Sequence, residues 1–232
     1  KWTSPVEGHT WNVNSPADGH LVATVAEATN VDVELAINAA RRAFDSGEFS
    51  NWGFAKRSEL VAKIADLMER DLKILAKLES DDTGKRLIEA EYDISDVIAC
   101  FRHFAKLGRL QHERKVEIAQ SNIDSRVVHE PVGVCTLIGP WNYPLLQVSW
   151  KVAPALVAGC TFIVKPAELT PSTAIHLFKL IDEAGVPAGV ANLILGKGSA
   201  IGDALTSDPR VDLVSFTGSL AIGQRIMSLA SK

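Results

Sequence analysis

With 232 residues, 47% of them hydrophobic, the chain can bury one large core or two small ones. A net charge of -4 leaves no excess of lysine and arginine to neutralise phosphates, which argues against a nucleic-acid or anionic-membrane partner. No apolar run approaches the ~20 residues a membrane helix needs, and Cys100, Cys135 and Cys160 stand far apart in apolar settings without zinc or disulfide spacing, as expected of a reducing, cytoplasmic location.

Residues 1–30 read as extended and turn-rich, and no secretory leader opens them. "NSPADGH" (14–20) is a turn by composition, because proline fixes one φ and glycine supplies a positive one. The following "HLVATVAEA" alternates like a strand. Val33, Ile37, Ala40 and Phe44 then recur at helical spacing. Leu60, Ile64, Leu67 and Met68 mark a second helix that continues through Leu72 and Leu75, and a third is expected from about Arg86 to Leu107. The charges on these helices read as solvated faces. "QHERKVEIAQSNIDSRVVHEP" (111–131) reads as polar strands, a projecting ribbon.

From Val132 the rhythm changes. "VGVCTLI" precedes a helical "PLLQVSWKVAPALVAG", "CTFIVK" (160–165) precedes "PSTAIHLFKLIDEAG", and "VANLILG" (190–196) precedes a short helix. A fourth strand, "VDLVSF" (211–216), leads to a last helix. Short apolar strands alternating with helices imply an α/β fold with a doubly wound parallel sheet. The chain divides into an extended and helical part (1–112), the ribbon (113–131) and a nucleotide-binding core (132–232). Both ends read as cut, since the chain opens on Lys1 and its last helical pattern reaches Lys232 without a cap.

Ligands of open α/β sheets lie outside the carboxyl ends of the strands. Four expected strand ends carry unusual residues there: Trp141-Asn142, Lys165-Pro166-Ala167-Glu168, Gly196-Lys197-Gly198-Ser199 and Thr217-Gly218-Ser219. Glu168 can accept from the vicinal hydroxyls of a ribose, and Lys165 can donate to them. A carboxylate there would repel a 2'-phosphate, favouring NAD over NADP. A surface ion pair accounts equally well for the two residues. "GKGS" and "FTGS" each meet a helix start, where free N–H groups can hold a pyrophosphate, although neither is a GxGxxG fingerprint and both could be plain turns. The side-chain amide of Asn142 can stabilise an oxyanion, or simply suit its turn. The cysteines read as core filler, and the six histidines are scattered without metal spacing.

Taken together, "TGK" (83–85), "HEPVGVCTLIGPWNYP" (129–144), "WKVAPALVAGCTFIVKPAELTP" (150–171) and "VSFTGSLAIG" (214–223) resemble the NAD(P)-dependent aldehyde dehydrogenase superfamily, nearest its betaine and amino-aldehyde dehydrogenases. The resemblance covers nearly the whole chain and implies a Rossmann-like cofactor domain whose ribbon serves oligomerisation, as a homodimer or homotetramer. It implies that Asn142 is the oxyanion donor for a Cys thiohemiacetal and that Lys151 belongs to a charge relay. Pro140, Trp141 and Asn142 would line the nicotinamide end of NAD, while Lys165 and Glu168, with Pro166 and Ala167 between them, would hold the adenosine ribose. Gly198 would border the adenine side, and Gly218, Ser219 and Gly223 the pyrophosphate. Asp93 and the carbonyl of Leu169 match positions that bind a monovalent cation in some relatives.

A thiolate would attack the aldehyde, hydride would pass to NAD to leave a thioester, and a Glu-activated water would release the acid. The family's Cys nucleophile and Glu base are expected beyond residue 232, so the catalytic domain is expected to be missing and the 232-residue chain alone to oxidise no aldehyde. Tyr143 and Trp150, two turns apart on a helix expected over 143–157, share a face with Leu146 and Gln147. Two aromatics there could hold a quaternary ammonium, pointing to betaine aldehyde or an ω-amino aldehyde, against an ordinary apolar tunnel. The competing reading is a noncatalytic nucleotide-binding or structural protein that reuses the fold. A downstream "GQxC" string would separate the two.

Overall fold

The computed structural model describes residues 2–111, 114–118 and 122–231. An antiparallel hairpin of β1 (Thr10–Asn14) and β2 (Leu21–Ala26) opens it. The turn between them closes through Ser15 N–H donating to the His20 carbonyl at 2.9 Å, with Gly19 at φ 78°. Four helices follow: α1 (Asn30–Asp45), α2 (Phe54–Arg70), α3 (Leu72–Thr83) and α4 (Leu87–Arg109). Asp32 starts α1 by accepting from the Thr29 N–H at 2.8 Å, a reciprocal cap of the kind that satisfies first-turn donors.

The single helix expected through Leu75 is two. The chain breaks at Asp71 (φ -98°, ψ 14°), whose carboxylate accepts from Arg70 and lies 2.8 Å from His176 Nε2. The Arg70 guanidinium, more than any other cause, holds the Asp71 carboxyl down at about 2. β3 (Arg114–Val116) and β4 (Ser125–Val127) pair antiparallel, as a two-stranded ribbon should. Residues 112, 113 and 119–121 of the expected ribbon region lie outside the described residues.

The remaining elements are β5 (Val134–Ile138), α5 (Pro144–Ala158), β6 (Thr161–Lys165), α6 (Ser172–Ala184), β7 (Ala191–Leu193), α7 (Gly198–Ser207), β8 (Leu213–Phe216) and α8 (Leu220–Ala230). Strands β5 to β8 form a parallel sheet in the order β7-β6-β5-β8. β7 is shorter than the expected 190–196 because the chain turns away from β6 after Ile194. The Leu195 carbonyl instead accepts from Ala28 N–H at 2.8 Å.

Both faces of the central strands are buried, as a parallel sheet requires. Cys135, Leu137, Phe162 and Val164 point into one core with α2 through α6. Val134 and Ile163 point into the other with Val33, Ile37 and Ala40 of α1 and Ile201 and Leu205 of α7. The Thr161 hydroxyl donates to the Ala40 carbonyl at 3.0 Å, so α1 covers the sheet as intimately as the crossover helices do. The chain walks outward from β5 to β6 to β7, then returns to place β8 on the other side of β5. That reversal between β5 and β8 is the switch point at which doubly wound sheets open a crevice.

Candidate active site

Strand register decides which loops meet. Ile138 pairs with Lys165 on one side and Phe216 on the other, and Val164 pairs with Leu193. Gly139 N–H donates to the Lys165 carbonyl at 3.2 Å, and Thr217 N–H to the Ile138 carbonyl at 3.2 Å. Loops 139–143, 166–171, 194–197 and 217–219 therefore leave one edge of the sheet, so Asn142, Glu168 and Ser219 share a rim. Cys135 in β5 and Cys160 just ahead of β6 lie near the opposite end of the sheet, about 10 Å and about 16 Å of extended chain from Ile138 and Lys165, and both are buried.

In the first loop Pro140 is half-buried, while Trp141 and Asn142 are exposed. Pro144 takes the first helical position of α5, where a missing N–H costs nothing. Tyr143 is the residue before the helix, at φ -133° and ψ 65°, and not its first turn as the sequence suggests. It therefore does not share a helical face with Trp150. Among the described residues no protein group hydrogen-bonds the side-chain amide of Asn142. Its main-chain carbonyl accepts from Lys85 Nζ at 3.2 Å.

Lys85 was not apparent as a site residue. It follows Gly84, which ends α3 in the left-handed region at φ 73°. Its ammonium also lies 2.6 Å from Asp93 Oδ2, 3.4 Å from Glu79 Oε1 and 4.6 Å from the centre of the Tyr143 ring. Glu79 is fully buried on α3 and accepts from the Thr173 hydroxyl at 3.0 Å. One turn on, Asp82 accepts from both the N–H and the hydroxyl of Ser172 at 2.8 Å. The acidic residues at 79 and 82 on the apolar face of α3 were the sequence signal for this buried cluster.

Burial pushes Glu79 up to about 7 and Asp82 up to about 6. The folded protein thus keeps protons that the unfolded chain has released between roughly pH 4 and pH 7. Stability from these two groups is fully present below that window and is lost as pH rises through it. Thermal unfolding followed from about pH 5 to about pH 8 should show a falling midpoint, with a shallower fall in Glu79→Gln; parallel curves for the two proteins would refute the assignment.

Asp93 gives its carboxylate to Lys85, and Leu169 stands exposed on the loop after β6. A monovalent cation joining the two would have to compete with the Lys85 ammonium. Among the described residues no group of three or more His, Cys, Asp or Glu side chains is arranged to hold a metal.

On the inner face of α5, Lys151 is buried, which lowers its pKa, and its Nζ donates to the Thr217 hydroxyl at 2.7 Å. This bond ties α5, the helix after the Asn142 loop, to the loop after β8. In that loop Ser219 caps α8, its Oγ accepting from Ile222 N–H at 3.4 Å. A Cβ at Gly218 would fall 2.4 Å from Phe216 Cζ, and one at Gly223 would fall 3.6 Å from the same ring. The backbone at 218 therefore lies against an aromatic and leaves no space for a side chain.

The third corner is built from β6 and α7. Lys165 is buried, its Nζ donating to the Pro166 carbonyl at 3.1 Å and lying 3.7 Å from Glu168 Oε2. Burial lowers its pKa, opposed by the Glu168 charge. Pro166 is buried and Ala167 half-buried between them. A Cβ at Gly198, the first residue of α7, would lie 3.9 Å from Lys165 Nζ, so the ammonium faces the amino end of that helix. From the hairpin, Trp11 Nε1–H donates to the Glu168 carbonyl at 3.1 Å.

Beside this rim, a hollow of about 520 Å³ opens between α4 and α5, lined by Asp96, Ala99, Cys100, His103, Phe104, Leu146 and Trp150. Leu146 and Trp150 belong to the expected substrate wall; Gln147 and Tyr143 do not line this hollow. Nothing in local sequence spacing links the α4 side of this hollow, with its carboxylate at Asp96, to α5. A second hollow of about 640 Å³ lies along β7, lined from α1 and α6 and reaching Ile194 and Leu195.

The model of the Aldehyde dehydrogenase family matches residues 2–232. The chain is 47% identical over 231 residues to a betaine aldehyde dehydrogenase of Bacillus subtilis, covering 100% of this chain and 47% of that protein. It is 41% identical over 239 residues to the peroxisomal aminoaldehyde dehydrogenase 1 of Malus domestica, again covering 100% and 47%. A crystal structure of betaine aldehyde dehydrogenase from Staphylococcus aureus in complex with NAD+ superimposes with a TM-score of 0.97 at 44% identity, covering 100% of this chain and 46% of that one. The chain spans about half the length of the relatives it matches. Among the described residues no helix is long and apolar enough to cross a membrane.

Proposed function

Because the chain belongs to the aldehyde dehydrogenase family, we propose that the protein containing it oxidises an aldehyde to its acid with NAD, and that the substrate is betaine aldehyde or an ω-amino aldehyde. The strand register carries this reading: Ile138, Lys165 and Phe216 lie abreast, so that one extended ligand can reach from Asn142 to Glu168. When bound, NAD accepts the hydride that leaves the substrate carbon.

The residues fit that cofactor. Glu168 and Lys165 supply an acceptor and a donor 3.7 Å apart for the adenosine ribose, bordered by Pro166 and Ala167, with Gly198 open beside them. The N–H groups opening α8 at Ser219, with Gly218 and Gly223, face the pyrophosphate. Pro140, Trp141 and Asn142 line the nicotinamide end. Lys151 holds Thr217 and so orients the loop opposite Asn142. Glu168→Ala should weaken NAD binding about 10-fold or more, since a hydrogen bond to a charged group is lost. It should also narrow the preference over NADP; titration calorimetry with both nucleotides measures it, and unchanged affinity would reject the ribose assignment.

The Asn142 amide donates to the oxyanion formed when a thiolate adds to the aldehyde, a thiolate that Cys135 and Cys160, buried near the opposite end of the sheet, are not positioned to supply. For the substrate, Trp150 is 52% exposed in a wall that also carries Asp96. An aromatic face with a carboxylate opposite suits a cation. Trp150→Ala should lower kcat/KM roughly 2- to 30-fold for betaine aldehyde and far less for an uncharged aldehyde of equal size. Equal losses for the two substrates would end the cationic-substrate reading. The exposed β3–β4 ribbon is assigned to self-association as a dimer or tetramer, and the protein to the cytosol.

A further inference from the structure

We propose that Lys85 is a positioning residue for the reaction, fixing Asn142 by holding its main-chain carbonyl. The inference rests on the reading of Asn142 as oxyanion donor. An ammonium has three protons, and here there are three oxygens to receive them: Asp93 Oδ2 at 2.6 Å, Glu79 Oε1 at 3.4 Å and the Asn142 carbonyl at 3.2 Å. The two carboxylates belong to α3 and α4, which are rigidly packed, and Glu79 is further held by Thr173 of α6. The third oxygen belongs to an exposed loop. Lys85 thus transfers the rigidity of the helical layer to a single peptide of that loop.

Local geometry prepares it for this. Gly84 takes a left-handed turn at φ 73°, and the Lys85 N–H donates to the Thr83 hydroxyl at 3.2 Å, which aims the side chain before any long-range contact forms. The Tyr143 ring, 4.6 Å from Nζ, covers the ammonium on the loop side. Holding the carbonyl of Asn142 restrains the 142–143 peptide and narrows the range its side-chain amide can sample. Catalysis tolerates little drift there, because a misplacement of about 1 Å can cost on the order of 100-fold in rate.

The test is a double-mutant cycle in the full-length enzyme, with Lys85→Met, Asn142→Ala and the pair, read as kcat with KM for NAD measured alongside. Asn142→Ala should lower kcat about 100-fold or more. Lys85→Met alone should lower it about 10- to 100-fold with KM for NAD within about 3-fold. In the Asn142→Ala background the same Lys85 change should cost less than about 3-fold, because it acts through the amide already removed. Equal losses in both backgrounds would overturn the inference while leaving the role of Asn142 intact. A fully active Asn142→Ala enzyme would instead overturn the oxyanion reading, and the inference with it. If Lys85→Met does not fold, Lys85→Gln with Glu79→Gln and Asp93→Asn removes both ion pairs without stranding a carboxylate and enters the same cycle. Lys85→Arg, which keeps the charge, should recover most of kcat, whereas a purely steric role would not be rescued by it.

Discussion

Asn142→Ala should lower kcat of the full-length enzyme by about 10²- to 10³-fold, the loss typical of removing one oxyanion donor, and weaken NAD binding far less, since the ribose and pyrophosphate corners are untouched. The substitution is clean. Lys85 binds the main-chain carbonyl of Asn142 and not its side chain, so alanine keeps the loop anchored and removes only the amide. Pro144 and the start of α5 are likewise untouched. Asn142→Asp should be worse than alanine, because a carboxylate replaces the donor with a charge that repels the developing oxyanion. Steady-state rates with saturating NAD, and calorimetric titration of NAD itself, separate the two effects. A kcat within about 3-fold of the parent would show that charge development is stabilised elsewhere.

Phe162→Ala should cost about 3–5 kcal/mol of folding stability, the range for truncating a buried aromatic. Phe162 is fully buried at the second position of β6, between β5 and β7, and its ring meets Phe178 of α6 edge-on with centroids 6.4 Å apart. The sheet and α6 leave little freedom for the cavity to collapse. Urea unfolding should report the loss, while NAD affinity of the folded variant stays near that of the parent because Lys165 lies three residues further on. Phe162→Leu, which retains most of the volume, should lose less than half as much. A loss under about 1 kcal/mol for alanine would mean the site repacks freely, contrary to the density expected of such a core.

The strand-and-helix alternation after Val132 was readable because each strand is short, apolar and closed by a glycine or proline, so period and punctuation agree. The loops at the strand ends were readable for the same reason: polar and glycine residues stand out where apolar runs stop. What escaped detection depends on pairs remote in sequence. Asp71 interrupts a continuous helical pattern to meet His176, 105 residues away. Lys85 reaches Asn142 across 57 residues. Asp96 and Trp150 share a hollow although α4 and α5 are separated by the ribbon. Periodicity alone places Tyr143 in α5, because it is indifferent to a one-residue shift of the first turn; the helix in fact opens on Pro144.

Trp11 reaches across 157 residues to the peptide of Glu168. Cutting the chain ahead of Val132 would therefore not liberate a self-sufficient nucleotide cradle. It would strip an indole from the very peptide that aims the Glu168 carboxylate, and would lay bare the sheet surface now roofed by α1. Anyone grafting this cradle onto another scaffold must carry the hairpin with it, since Trp11 holds in place a corner made more than a hundred residues later.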